Sequence, residues 1–418
     1  MNIAIVGAGI SGLVCARLLH RDHDITVFEA EPQIGGHTHT LDVSLDGRHF
    51  AVDTGFIVFN DATYPHFIQL MDRLGVASQP STMSFSVRCD QTGLEYSPGG
   101  PAGLFARRRN LVSPRFYRML LEIFRFRRKS LALLLENDDE TTLGEYLRQN
   151  GYSDAFIRHF IIPMGAAIWS ADPVGFEAFP ARYFVQFFQN HGFLNLVDQP
   201  QWRVIKGGSR NYLGPLTAPF ADRIRVGFPV TAIHRDGDGV TIQGPAGTEP
   251  ERFDAAVVAA HSDQALKMLA DPTPAEQEVL GALPYQENRV LLHTDVRVLP
   301  RRRAAWASWN YRIPKRRTDR VTVTYDMNIL QRIDAPVEFC VSLNLEDLIP
   351  GGRRIQEIVW QHPVYTPEGM KARARRSDIN GTNHTWFCGA YWGYGFHEDG
   401  VNSALAVCED FGKGIGDV

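Results

Sequence analysis

Cysteine is scarce and scattered. The five thiols, Cys15, Cys89, Cys340, Cys388 and Cys408, are odd in number, form no CxxC pair and have no metal-ligand spacing; that excludes a disulfide scaffold and predicts reduced thiols. An excess of positive charge is missing too. Lys plus Arg number 43 against 47 Asp plus Glu, a net charge of −4, so no global basic field recruits nucleic acid. No apolar run approaches the roughly 18 to 20 residues of a membrane-spanning helix. The N-terminal MNIAIVGAGI has no basic segment ahead of its apolar stretch and breaks at glycine, so it is not read as a signal peptide and a cytoplasmic protein is expected. No Ser/His/Asp order, nucleophile elbow or paired-carboxylate motif stands out. A second glycine fingerprint is also absent, and with it the separate pyridine-nucleotide domain of many reductases.

What is present is ordinary globular composition, 44% hydrophobic and 22% charged over 418 residues, long enough for two or three lobes. The first forty residues carry most of the information. Asn2 to Val6 reads as a strand buried on both faces. It feeds into Gly7-Ala8-Gly9-Ile10-Ser11-Gly12, which opens a helix through His20 and is followed by a second strand, Asp24 to Glu29. This is the dinucleotide fingerprint in its full context: Gly7 permits the tight turn, Gly9 lets backbone N–H groups approach a pyrophosphate, Ser11 lies within the loop, and Gly12 lets helix and strand pack closely. Glu29 ends the second strand where a carboxylate accepts from ribose hydroxyls and repels a 2′-phosphate, which disfavours NADP.

The next segment, Glu29-Ala30-Glu31-Pro32-Gln33-Ile34-Gly35-Gly36-His37, resembles the extension of the fingerprint in the amine oxidase, protoporphyrinogen oxidase and phytoene desaturase group of flavoproteins. The resemblance implies non-covalently bound FAD, with Gly35 and Gly36 beside the pyrophosphate and flavin. His37 stands where that group commonly has Arg. Two histidines at i, i+2, His37 and His39, point to opposite faces of an extended segment, and no metal is expected. Asp53-Thr54-Gly55-Phe56 resembles the family segment that approaches the flavin ring, and Val230 the valine whose backbone meets the adenine. Thr385 to Ala390, with Gly389, and the stretch from Gly393 to Leu405 resemble the closing FAD motif. There a helix starting near Gly400 and Val401 would offer its N–H groups to the flavin N1/O2 edge. Ala390 replaces an acid found in many relatives.

The implied fold is α/β: a Rossmann-type, glutathione-reductase-like FAD-binding domain with an inserted α+β substrate domain. The expected division is 1–75, 200–284 and 377–418 for the FAD-binding domain, and 76–199 with 285–376 for the substrate domain. The chain reads mainly helical from Tyr64 through Asn190, with antiparallel strands at Ile224 to Ile233 and Val240 to Gln243. A roofing sheet is expected from Val290 to Val298, Val321 to Tyr325 and Phe339 to Leu343.

Catalytic residues are less legible. Amine oxidases of this group often place a Lys on a substrate-domain strand; here Glu287 to His293 contains none, which weakens an amine oxidase reading. Phe396, His293, Tyr325 and Trp309 are the candidates for contact with substrate, with Trp169, Tyr391, Trp392 and Tyr394 nearby. Between Arg107 and Lys129 stand nine basic residues and one acid, Glu122. On a helix Arg115, Arg118, Glu122, Arg125 and Lys129 share one face, with Phe116, Leu120, Ile123 and Phe124 on the other, the profile of an interfacial helix seeking anionic lipid. These readings converge on an FAD-dependent oxidoreductase that dehydrogenates or isomerises a lipophilic substrate, a membrane-derived acyl chain or an isoprenoid, by hydride transfer to flavin N5. It would contact the inner membrane face peripherally through 107–129. The alternatives are a flavin amine oxidase acting on a soluble amine with oxygen as acceptor, and a flavin-stabilised scaffold.

Overall fold

The computed structural model describes residues 1–136, 138–195, 199–316 and 318–418. The chain begins with β1 (Asn2–Val6), α1 (Ile10–Leu19) and β2 (Asp24–Phe28). After short helices and hairpins come β3 (Phe85–Cys89) and β4 (Glu95–Tyr96), then a helical stretch with α2 (Pro114–Lys129), α3 (Ile162–Trp169) and α4 (Ala181–Asn190). It returns through β5 (Ile224–Arg225) and β6 (Ala255–Val258). A run of sheet follows: β7 (Tyr285–His293), β8 (Trp309–Ile313), β9 (Val323–Asp326), β10 (Cys340–Leu343) and β11 (Arg354–Pro363). The last strand is β12 (Thr385–Phe387) and the closing long helix is α5 (His397–Cys408).

Five strands from distant parts of the chain make one parallel sheet in the order β5-β2-β1-β6-β12. Its two faces explain the unbroken apolar run of β1: Ile3 and Ile5 pack with Leu13 and Val14 of α1, while Ala4 and Val6 pack with Ile233, Ile242 and Phe253 on the opposite side. Gly12 is required by this packing, since a Cβ there would lie 1.9 Å from the Gly7 carbonyl oxygen.

The second sheet has seven strands in the order β11-β7-β10-β9-β8-β3-β4. It is mixed: β8 and β3 run parallel and the other neighbours antiparallel. It therefore recruits β3 and β4 from a stretch predicted to be helical. Phe85, Val87 and Cys89 alternate at the period of a strand, a local signal outweighed in the sequence by the helical patterns on either side. The predicted strand Val290 to Val298 stops at His293, because Asp295 accepts from Arg297 N at 3.1 Å and starts a 3₁₀ turn. The predicted Ile224 to Ile233 strand is broken at Gly227, where φ is +65°; Ile224 and Arg225 join the parallel sheet, and a separate antiparallel strand starts at Ala232.

The helix α2 forms where predicted, capped by Ser113, whose Oγ accepts from Phe116 N at 3.3 Å. Its faces differ from expectation. Phe116, Met119, Glu122, Ile123 and Phe126 are buried, whereas Tyr117, Leu121 and Phe124 stand exposed. Glu122 turns inward because Ser153 donates to it through N at 3.2 Å and through its hydroxyl, with Arg118 Nε reaching it at 3.1 Å.

Candidate active site

The carboxyl ends of β1, β2 and β6 open into a cavity of about 800 Å³ that continues under the seven-stranded sheet. That is where open α/β sheets place their ligands. At the nucleotide end Gly7 has φ +105°, and a Cβ at Gly9 would meet nothing within 4 Å, so the loop leaves open space above itself. Glu29 stands at the end of β2, its carboxylate accepting from Ala8 N at 2.7 Å and from Glu31 N at 2.9 Å. Gly35 pairs with Gly9 as an isolated bridge, and a Cβ on Gly36, at φ +56°, would come within 3.3 Å of Gly9 Cα. Val230 borders the same end with Phe228 and Pro229.

Behind the middle of the cavity wall, next to Thr54 and Gly55 which line it, lies Asp53. Buried, it accepts from Ser209 N at 2.8 Å, from Ser209 Oγ at 2.9 Å, from Thr40 Oγ1 at 2.6 Å and from Gln331 Nε2 at 2.9 Å. Burial pushes its carboxyl up to about 6 despite these donors. The residues that follow lie against His37: a Cβ on Gly55 would sit 2.2 Å from the His37 carbonyl, which accepts from Phe56 N at 2.6 Å. Phe56 stacks on His397 with centroids 3.6 Å apart. Burial holds His397 down to about 3, and its Nε2 is hydrogen-bonded to Thr38 Oγ1 at 3.0 Å.

At the far end Trp309 and Tyr325, cross-strand partners on β8 and β9, meet edge to face at 5.1 Å. Ile168, Trp169, Val290, Val341 and Leu343 complete that wall. Phe396 and Tyr394 line the cavity too, backed by Phe187 and Tyr183 with centroids 5.4 and 4.3 Å away.

Comparison with known proteins decides the family. Residues 10–318 match the model of the flavin containing amine oxidoreductases. The chain belongs to this family. It is an FAD-dependent oxidoreductase with the family's Rossmann-type fold. Over 98% of both chains it is similar to the CLA-producing fatty acid isomerase from P. acnes, at 18% identity and a TM-score of 0.70. Cyclohexylamine oxidase from Brevibacterium oxydans aligns over 98% of this chain and 99% of its own, at 16% identity and a TM-score of 0.66. A stretch of 41 residues is 55% identical to the tryptophan 2-monooxygenase of Allorhizobium ampelinum; it spans 9% of this chain and 6% of that protein.

The cavity of this flavin amine oxidoreductase fits FAD: an open glycine loop at the start of α1, an acid at the end of β2, and two buried ring nitrogens without a partner, His37 Nε2 and His261 Nδ1. When bound, FAD supplies the two-electron acceptor. The structure brings Gly7, Gly9, Ser11, Glu29, Gly35, Gly36, His37, Gly55, Phe56, Val230, Gly389, Phe396, Trp309 and Tyr325 to the cavity wall.

Other residues named from the sequence lie elsewhere. Trp392 packs against the core, its Nε1 donating to the Phe387 carbonyl at 3.2 Å. Gly12 packs α1 on β1. Helix α5 starts at His397, three residues before Gly400, with Asp399 accepting from Phe396 N at 2.9 Å. Gly400 packs that helix on α1, where Ser11 Oγ donates to its carbonyl at 3.0 Å, and Val401 is core. His293 is off the cavity as well. Strand period explains it: Val290 and Leu292 belong to the cavity-side core, whereas Leu291 packs in a separate cluster and His293 follows it. His293 is hydrogen-bonded through Nε2 to Ser342 Oγ at 2.8 Å and accepts from Asp295 N at 3.0 Å, a satisfied core histidine.

Trp360, His261 and His362 line the cavity and were missed. Position just beyond β6 could have flagged His261. Trp360 and His362 share a face of β11, which only sheet pairing reveals. Among the described residues no group of three or more His, Cys, Asp or Glu is placed to hold a metal.

Proposed function

We propose that this enzyme dehydrogenates or isomerises a lipophilic substrate, an acyl chain or isoprenoid drawn from a membrane. One observation carries the reading: beyond the nucleotide end, the described cavity wall holds no carboxylate, Glu29 being the one that lines it. An ammonium group entering there would give up its hydration without an anionic partner, a cost of several kcal/mol in a closed site. Methylenes contribute about 0.8 kcal/mol each on burial against such a wall. The protein's share is orientation. Trp309 and Tyr325 form a rigid aromatic wall, and burial pushes the Tyr325 phenol up, so it stays protonated and can act only as a donor to an anion.

Several finer assignments go with this reading. Residues 1–75, 200–284 and 377–418 form the FAD-binding domain, supported by the parallel sheet that their strands share, and 76–199 with 285–376 the substrate domain. FAD is held without a covalent thioether, supported by the absence of all five cysteines from the cavity wall. The helix α2 docks on anionic lipid. No helix among the described residues is long and apolar enough to cross a membrane.

The test is anaerobic incubation of the FAD-loaded protein with extracted bacterial lipids or with a panel of amines. Flavin absorbance and the double-bond pattern of the lipids are followed together. Bleaching or a shifted double bond with lipid, and no change with amines, is expected. Bleaching by an amine with unaltered lipids would establish the alternative, a soluble amine oxidase using oxygen, for which Phe396 and Tyr394 are the aromatic residues at the wall.

A further inference from the structure

A buried amide and a buried carboxylate, 278 positions apart, hold each other by two hydrogen bonds. Asp53 ends the strand Arg48–Asp53, and Gln331 follows the one-turn helix Met327–Leu330 that continues from β9. Asp53 N donates to Gln331 Oε1 at 2.9 Å, which orients the amide, so Gln331 Nε2 donates to Asp53 Oδ2, also at 2.9 Å. The other carboxylate oxygen is taken by Ser209 and Thr40. Gln331 is itself held. Asp326 Oδ1 caps the helix by accepting from Ile329 N at 3.1 Å, the Leu330 carbonyl accepts from Ser81 Oγ at 2.7 Å, and the Gln331 carbonyl accepts from Gln79 Nε2 at 2.8 Å. Arg332 ends the turn at φ +54°, a left-handed conformation uncommon outside glycine.

The pair joins the cavity wall to the second sheet. Asp53 leads directly into Thr54, Gly55 and Phe56, which line the cavity, while β9 is the central strand of the seven. The edge strand β11 grips the same segment, since Trp360 Nε1 donates to the Thr54 carbonyl at 2.9 Å. Phe56 passes the constraint on through its stack on His397, the first residue of α5. Around the carboxylate, Arg210 favours the ionised form and burial keeps the Tyr212 phenol neutral. On the Gln331 side, Arg332 and Asp334 are exposed, and Asp334 pairs with Arg48 at 3.7 Å. The charge on Asp53 is thus balanced chiefly by hydrogen-bond donors, and Gln331 is the donor that arrives from the second sheet.

We propose that Gln331 is a positioning residue for the flavin reaction: by holding the Asp53 carboxylate and its backbone N–H together, it fixes Thr54, Gly55 and Phe56 relative to the seven-stranded sheet and so sets how tightly, and in what surroundings, FAD is held. Gln331 lies off the cavity wall and acts through Asp53. An amide suits this place because it meets a donor and an acceptor at once and adds no charge beside a buried carboxylate. An acidic side chain does the same only while it carries a proton.

The test compares wild type with Gln331→Ala and Gln331→Glu by two readouts, the FAD dissociation constant from flavin fluorescence and the visible band of the bound flavin, at about pH 6 and about pH 9. Gln331→Ala should bind FAD at least tenfold more weakly at both, with a shifted band. Gln331→Glu should behave as wild type at about pH 6, where one shared proton lets its carboxyl O–H donate to Asp53 Oδ2 while its other oxygen accepts from Asp53 N. At about pH 9 that proton is lost, two carboxylates face each other, and binding should fall to the alanine level or below. Ratios to wild type at the same pH cancel the titration of Asp53 itself, whose carboxyl stands at about 6. A purely structural role would lower stability in chemical denaturation and leave both flavin readouts at wild-type values; that result in Gln331→Ala overturns the proposal. So does a glutamate variant whose ratio to wild type is the same at the two pH values. Should Gln331→Ala fail to fold, the glutamate variant decides by itself, because its change between the two pH values is read on one folded protein.

Discussion

Helices α1 and α2 stand in opposite relations to water. Nine of the ten residues of α1 are buried, because the parallel sheet covers one side and α5 another. Of the 16 residues of α2 only five are buried, on one narrow face against an aromatic core; Leu120, Arg125 and Arg127 are partly covered and the other eight are exposed. Among the described residues 14 large hydrophobic side chains are exposed, and seven of them, Leu111, Val112, Tyr117, Leu121, Phe124, Leu131 and Leu135, fall within 25 positions around α2. Isolated exposed apolar residues are ordinary; such a concentration, interleaved with arginines, is what the proposed docking of α2 on lipid rests on. The cofactor lobe spends its apolar residues on its own core, whereas the α2 region keeps part of them outside.

The sharpest way to break this comparison is to disturb the side where nothing can give. In Gly12→Ala the new Cβ would lie 1.9 Å from the Gly7 carbonyl oxygen and 3.1 Å from Ala259 Cβ, so α1 must move off the sheet and take the glycine loop with it. We expect a loss of about 3 kcal/mol in chemical denaturation, as for other overpacked cores, and at least a hundredfold weaker FAD by fluorescence titration. Wild-type affinity in this variant would show that the α1–sheet contact does not set the cradle.

A smaller effect comes from two buried glutamates. Glu276 and Arg235 are 0% and 1% exposed and pair at 2.5 Å. Glu276→Gln strands part of the Arg235 charge, which Asp271 still meets at 2.9 Å, and should cost about 2 kcal/mol. Glu122 is equally inward, but its partner Arg118 is 63% exposed and Ser153 supplies further hydrogen bonds. Arg118→Ala should therefore cost less than about 1 kcal/mol. Similar losses for the two would mean that α2 is held as rigidly as the cofactor lobe.

The same contrast explains what could be read from the sequence. Gly7, Gly9, Gly12, Gly35 and Glu29 are dictated by local backbone geometry and by strand–loop–helix order, so their pattern survives in one dimension. The faces of α2 do not. Glu122 looked like part of the basic face until Ser153, 31 positions away, drew it inward, and Phe124 looked like core although it has no core to enter. Arg125, apparently one more free cation, lies over the Tyr152 ring at 4.8 Å and donates to the Asn150 carbonyl. His362 and Trp360 escaped notice for the same reason: their place in the cavity depends on β11 pairing with β7, far away in sequence.

The smallest expected change in stability carries the most information about α2. Leu121 and Phe124 are 70% and 50% exposed, so Leu121→Asn with Phe124→Asn should leave denaturation within about 0.5 kcal/mol of wild type, as surface substitutions do. Binding to anionic liposomes should nevertheless fall at least tenfold, because each side chain that enters the acyl boundary contributes a fraction of the roughly 1.5–3 kcal/mol of full burial. Reversing Arg115, Arg128 and Lys129 to Glu should abolish binding by removing about 1 kcal/mol per charge and adding repulsion. Salt separates the two contributions. Raising it from 0.1 M to 1 M shortens the Debye length from about 10 Å to 3 Å, so residual binding of wild type at high salt reports the apolar side chains and its loss reports the arginines. Sedimentation of the asparagine double variant at wild-type level would show that α2 lies on the headgroups by charge alone, and a wild type that fails to sediment with the liposomes would remove the membrane from the reading altogether.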